Sequence, residues 1–219
     1  MPARTMALST PQLLPTDAWV NATWNEFVSL TDAPQYAEGK SYFDNGYMRI
    51  EMAALGAGQG RQNSVVLKVI SLFTTFSTIR IAELINCSFR KTGERGCQPD
   101  LAFYLGDRFQ LPAQDNAPID VERLGAPTLA VELGASSLND DLGYKRLLYE
   151  RLGVQEYWVV DVANQQIIAF SVADGRSGQI QTSEVLPGLE IDLIEEALRR
   201  SQTEDDGTIT RWLMQTLTD

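Results

Sequence analysis

Two short, almost uninterrupted apolar runs constrain this chain most: PTLAVEL, 127–133, and EYWVVDV, 156–162. A strand covered on both faces shows no polar side, so runs of this length suit buried central strands. Between them lies Asn139–Leu152, whose Leu142, Leu147, Leu148 and Leu152 mark the apolar positions of a helix. Ser137 or Asn139 can cap its start, and Gly153 can stop it. A strand, a helix and a second strand in succession imply layers of both element types around one core.

The remaining elements extend that pattern. Thr23 and Glu26 in TWNEFVSL have the spacing of a capping box. Asn45-Gly46, between SYFD and YMRIEM, reads as a hairpin turn. Gly56, Gly58 and Gly60 read as a loop, LGAGQG, without the GxxxxGK[ST] pattern of a nucleotide-binding loop. From Asn63 to Phe76, apolar residues at 65, 66, 69, 70, 73 and 76 predict a helix with one buried face. INCSFRK, 85–91, alternates as a half-buried strand, and PDLAFYL follows as another after a turn at 93–96. Residues 106–127 read as a loop or insertion. IIAFSV and QIQTSEV form a hairpin, Pro187-Gly188 ends the sheet, and acidic helices follow near 192–201 and 208–217. The expectation is one α/β domain over 1–219, with a central mixed β-sheet flanked by helices, an N-terminal helix and hairpin, and two acidic C-terminal helices.

Composition removes several chemistries. The chain has no histidine, which excludes imidazole-based nucleophilic catalysis and most zinc sites. Cys87 and Cys97 are too few for a cysteine-only zinc site and are expected as free thiols. No apolar run reaches 18 residues and the first 20 carry no signal-peptide core, so a cytoplasmic protein is expected. The net charge of −11 gives no general attraction to nucleic acid. Charge is uneven, however: residues 40–100 hold eight bases and five acids, whereas 184–219 hold nine acids and three bases.

Chemistry concentrates at three positions. Asp100 follows Pro99 at the opening of a strand, Glu132 interrupts the apolar run LAVEL, and Lys145 lies on the next helix. A carboxylate in a buried strand is costly without a partner or a cation. Two carboxylates at neighbouring strand ends can share a divalent cation, which removes their mutual repulsion. Asp141, Lys145 and Tyr149 stand at i, i+4 and i+8 and form a polar stripe that could face them. A cation with a lysine beside it suits phosphodiester hydrolysis, with Mg²⁺ (or Mn²⁺) holding water and phosphate and Lys145 stabilising developing charge. The plainer alternatives are a surface Asp141–Lys145 pair and an Asp100 that only caps its turn.

The series Pro99-Asp100, PTLAVELGASS with Glu132, and DLGYKRLLYERLGVQEYWVVD, 141–161, resembles the putative restriction endonuclease family of bacteria, within the PD-(D/E)XK nuclease superfamily. The resemblance runs from about Thr23 to the terminal RWLM segment, and Gly153–Asp161 is its most specific part. It implies a restriction-endonuclease-like core, with Asp100 and Glu132 as metal carboxylates and the Leu133 carbonyl as a further ligand. The superfamily's lysine normally stands two residues after the acid, where this chain has Gly134. The family takes it from the following helix, which maps to Lys145. Relatives often read ExxSPS after the acid, where this chain has Glu132 followed by Ser136 and Ser137. A histidine of relatives maps to Gln59, which can hydrogen-bond a phosphate or water but cannot act as a base.

DNA is the expected partner, with Gln59, Arg61, Arg90, Lys91 and Arg95 as phosphate contacts, Lys68 beside them, and binding weak and salt-sensitive. Glu51 is expected at a solvated strand edge, with an acidic contact at the site as the secondary reading. The leading expectation is a Mg²⁺-dependent endonuclease. The competing one is a weak or inactive nuclease-fold protein that binds or regulates. A homodimer is also expected, and a third reading is a homodimeric structural or interaction protein with Trp158, Trp212 and the terminal helices as its interface.

Overall fold

The computed structural model describes residues 15–52, 56–134 and 137–218. In chain order its elements are β1 (Val20–Asn21), α1 (Trp24–Thr31), β2 (Lys40–Asp44), β3 (Tyr47–Glu51), α2 (Ala57–Phe76), β4 (Ile81–Ile85), β5 (Phe89–Lys91), β6 (Arg95–Cys97), β7 (Leu101–Leu105), β8 (Ile119–Asp120), α3 (Val121–Leu124), β9 (Leu129–Gly134), α4 (Leu138–Asp140), α5 (Arg146–Leu152), β10 (Glu156–Asp161), β11 (Gln166–Ala173), β12 (Arg176–Ile180), α6 (Ile191–Arg200) and α7 (Asp206–Thr216). A π-helical turn, Asp141–Lys145, joins α4 to α5. Among the described residues no helix is long and apolar enough to cross a membrane.

The expected α/β architecture, mixed sheet flanked by helices, is present, and it is built as two mixed, six-stranded sheets. One runs β1-β3-β2-β6-β5-β8 and the other β12-β11-β10-β9-β7-β4. The expected strand at 85–91 is divided between them. Ile85 ends β4 in one sheet and Phe89 opens β5 in the other. Asn86, at φ 53°, turns the chain between the two. Alternation of side chains survives this break, so local pattern alone could not reveal it. The expected glycine loop is also replaced: Gly58 and Gly60 lie in the first turns of α2, with Gly56 at its cap. Leu55 of that loop, with Ala135 and Ser136 of the run after Glu132, lies outside the described residues.

Other readings hold. The Thr23–Glu26 capping box is formed in both directions. Asn45 and Gly46 both take positive φ, 52° and 78°, as a two-residue hairpin turn requires. β9 and β10 pair in parallel, which demands the crossover through α4 and α5. Gly153 ends that crossover at φ 96°, a left-handed conformation that a side chain would strain. Cys87 and Cys97 are free thiols.

The β9-containing sheet is buried on both faces, and side-chain parity decides what each face meets. Leu101, Phe103, Leu129, Val131, Trp158 and Val160 pack against α2, α6 and α7. Ala102, Tyr104, Ala130, Tyr157 and Val159 face the other way, toward α5 and the aromatic Tyr42 and Phe89 of the first sheet. Trp158 is wholly buried inside the chain, so it is not available to a subunit interface as expected. Its indole instead donates to Glu156 at 2.9 Å.

Candidate active site

The β7–β9 register explains how Asp100 and Glu132 meet. These antiparallel strands pair Leu101 with Val131 and Ala102 with Ala130. One step further along that register sets Asp100 opposite Glu132. Both positions have the parity of Ala102 and Ala130, so both side chains point toward α5 and the first sheet. Both are almost completely buried, at 1% and 2% exposure.

Each carboxylate has one oxygen fixed by the protein. Asp100 Oδ2 accepts a hydrogen bond from the Leu133 backbone N–H at 2.9 Å. Glu132 Oε1 accepts from the Tyr149 hydroxyl at 2.7 Å. The other two oxygens face Lys40, whose Nζ lies 2.5 Å from Asp100 Oδ1 and 3.9 Å from Glu132 Oε2. Asp100 Oδ1 has no directed hydrogen bond among the described residues.

Asp141, Lys145 and Tyr149 are all buried, so Asp141 and Lys145 are not a surface pair. Lys145 is 1% exposed and Asp141 0%. Lys145 Nζ stands 2.8 Å from Asp141 Oδ1, 2.9 Å from Glu51 Oε1 and 4.0 Å from Glu132 Oε1. It also lies 4.1 Å from the centre of the Tyr42 ring. The carboxylates Glu132, Asp141 and Glu51 hold the Lys145 ammonium above its ordinary range, against the pull of burial. Lys145 is therefore a fixed cation and not a base near neutral pH.

Glu51 departs from its expected place at a solvated edge. Its side chain is 12% exposed and binds Lys145 and Arg49, the latter at 2.8 Å. These two cations hold its carboxyl below the ordinary value, outweighing burial. Burial raises Asp141 despite Lys145 and Ser137. Burial also lifts Glu132 to about 8, with Lys145 and Lys40 opposing the rise.

Gly134, two residues after Glu132, is packed against the start of the crossover. A Cβ at that position would lie 2.8 Å from Asp141 Oδ2 and 3.1 Å from Leu138 Cα. The position two residues after Glu132 is closed to any side chain, and Lys145 reaches the acid from the π turn.

Lys40, Glu51, Asp100, Glu132 and Lys145 line a cavity of about 810 Å³, together with Gln59, Leu133, Arg49 and Asp140. Gln59 Nε2 donates to the Leu133 carbonyl at 2.9 Å. The other proposed phosphate contacts are not brought to the cavity. Arg61 ties α2 to the Ser201 and Glu204 carbonyls, and Lys68 pairs with Asp206. Arg90 bonds Thr31, Lys91 pairs with Glu94, and Arg95 pairs with Asp44 and Glu94.

Sequence reasoning missed Lys40. A signal existed: the Asn45-Gly46 turn fixes the hairpin register, and counting outward pairs Lys40 with Glu51. What could not be read was that each would turn to a more distant partner.

The donor set fits a divalent cation. Asp100 Oδ1, Glu132 Oε2 and the Leu133 carbonyl are all oxygens, as a hard cation prefers. Glu51, Asp100, Glu132, Asp140 and Asp141 outnumber Lys40, Arg49 and Lys145 in this ion-paired cluster. Among the described residues no three His, Cys, Asp or Glu side chains form a metal cluster by themselves. Two carboxylates and a carbonyl do not require a third.

The chain belongs to the Uma2 family, described as putative restriction endonuclease, whose sequence model matches residues 24–208. It is similar in fold to a solved putative nuclease of DUF820 from Anabaena variabilis, at 17% identity and a TM-score of 0.56. That likeness covers 80% of this chain and 98% of the other. No match was found among curated proteins.

Proposed function

We propose that the protein is a Mg²⁺-dependent endonuclease hydrolysing DNA phosphodiester bonds, with Mn²⁺ able to replace Mg²⁺. The observation that carries this reading is the orientation of Asp100 Oδ1 and Glu132 Oε2 toward one common cation position. Asp100, Glu132 and the Leu133 carbonyl would hold the ion. When bound, it would supply Lewis-acid stabilisation at the phosphate and a more acidic water.

The chain's own residues supply the rest. Lys145 keeps its proton and places positive charge beside Glu132, where charge develops on phosphate oxygens. Asp141 and Glu51 position that ammonium, and Tyr149 fixes the Glu132 rotamer. Gln59 reaches the cavity as a neutral hydrogen-bonding group. Arg61, Arg90, Lys91 and Arg95 would contact phosphates only peripherally, through atoms not used by their acidic or carbonyl partners. A homodimer would place two such sites on the two strands of a duplex. One domain over 1–219 and a cytoplasmic setting suit this role.

A catalytically weak protein that uses the same cavity for binding or regulation is the second reading. It is favoured by Gln59, which already occupies the Leu133 carbonyl. Plasmid cleavage with Mg²⁺ or Mn²⁺ separates the two. The endonuclease reading expects nicking or linearisation that falls about 100-fold or more in a folded Asp100→Asn variant. Cation binding without cleavage supports the second reading. Equal cleavage by both proteins contradicts the Asp100 assignment.

A further inference from the structure

Three features set Lys40 apart from the other cations of the cavity. It opens β2 in the first sheet, whereas Glu132 lies on β9 of the second and Asp100 immediately precedes β7 of the second. Its ammonium faces the two oxygens that the protein leaves unfixed, Asp100 Oδ1 and Glu132 Oε2. It also ignores Glu51, its own cross-strand partner, which turns to Lys145 and Arg49.

We propose that Lys40 is a built-in counter-cation: its ammonium takes the metal position between Asp100 and Glu132 in the cation-free protein and leaves when a divalent ion binds. This inference rests on the reading of Asp100 and Glu132 as metal carboxylates.

The physical argument is one of exclusion. Two carboxyl groups buried side by side lose their hydration and, when both are ionised, repel each other, so the ionised pair needs positive charge nearby. Lys40 provides one charge to that position on a flexible four-carbon stem. A divalent ion provides two, and it cannot share the space with an ammonium 2.5 Å from Asp100 Oδ1. Lys145 cannot do the same work, because Asp141 and Glu51 hold it at 2.8 and 2.9 Å. Lys40 retains 17% side-chain exposure and borders the cavity, which gives it a path outward. Binding at one position by two competitors is reciprocal. Removing the ammonium must tighten the metal, and adding the metal must release the ammonium.

Two measurements on the full chain test this without DNA or turnover. Calorimetric titration with Mn²⁺ compares wild type with Lys40→Met. Reductive methylation of wild type, read by mass spectrometry, follows Lys40 with and without saturating Ca²⁺. The expected results are Mn²⁺ binding about tenfold or more tighter in Lys40→Met, and methylation of Lys40 that accelerates with Ca²⁺. Equal or weaker binding by the variant, or Lys40 labelling indifferent to Ca²⁺, overturns the proposal. If Lys40→Met does not fold, the labelling of wild type decides alone. Wild-type binding without tightening in the variant removes only the role of Lys40. Absence of binding in both proteins removes that role and the metal site together.

Discussion

Tyr149, on α5, donates its phenolic hydroxyl to Glu132 Oε1 across 2.7 Å, with both side chains buried. The contact joins the crossover helix to the acid of β9 and sets which Glu132 oxygen faces the cation position. Replacing Tyr149 with Phe keeps the ring and leaves the acceptor alone. The expected cost is about 1–3 kcal/mol, read as a lower urea midpoint with an unchanged slope. An unchanged midpoint would show that this hydrogen bond does not matter for the fold.

Lys145 neutralises a group of acids that cannot stay buried without it. Lys145→Met leaves Asp141 and Glu51 without their shared ammonium. The expected loss is about 3–5 kcal/mol, as for other broken buried pairs. Pairing the substitution with Asp141→Asn should recover part of it, because Asp141 is the acid left without a cation, whereas Glu51 keeps Arg49. Denaturation of the two variants, single and double, checks the sign of that coupling.

Gly134 is closed by its neighbours. Gly134→Ala puts a methyl 2.8 Å from Asp141 Oδ2. Asp141 must move, and Lys145 with it. The expected destabilisation is about 1–3 kcal/mol, together with weaker divalent binding by calorimetry. Wild-type stability and binding in this variant would contradict the packing described.

The pH dependence follows from Glu132. Its folded carboxyl sits at about 8, above its ordinary value of 4.5, because burial disfavours the charge. The folded state therefore holds this proton more tightly than the unfolded state. The resulting stability is complete below the unfolded value and is lost as pH rises through about 8. Cation binding needs the ionised form, so it should release a proton below that pH and strengthen as pH increases. Thermal unfolding with chelator present, and Mn²⁺ titration in buffers of different protonation enthalpy, read both signs. Metal affinity independent of pH would contradict the assignment of Glu132.

Part of this arrangement is legible in the sequence. The buried runs containing Glu132 and Trp158 mark adjacent strands, and the spacing of Asp141, Lys145 and Tyr149 puts one stripe toward the acid. The first sheet is not legible. Its strands are two to five residues long, and a left-handed Asn86 switches the chain between sheets within an alternating run. Lys40 and Glu51 were hidden for the same reason. Their roles depend on how the two sheets stack, and local periodicity carries no information on that contact. Of the basic residues near Asp100 in sequence, Arg95 is drawn instead to Asp44 and Glu94, Lys91 to Glu94, and Arg90 to Thr31 and Asp32.

The central claim is that β7 and β9 present two carboxylates to one divalent ion. Mn²⁺ soaked into crystals of the protein, located by anomalous scattering, tests it most directly. A single peak about 2.1–2.3 Å from Asp100 Oδ1, Glu132 Oε2 and the Leu133 carbonyl is the predicted result. A well-ordered cavity that takes no manganese, or a manganese ion bound elsewhere in the chain, would contradict it.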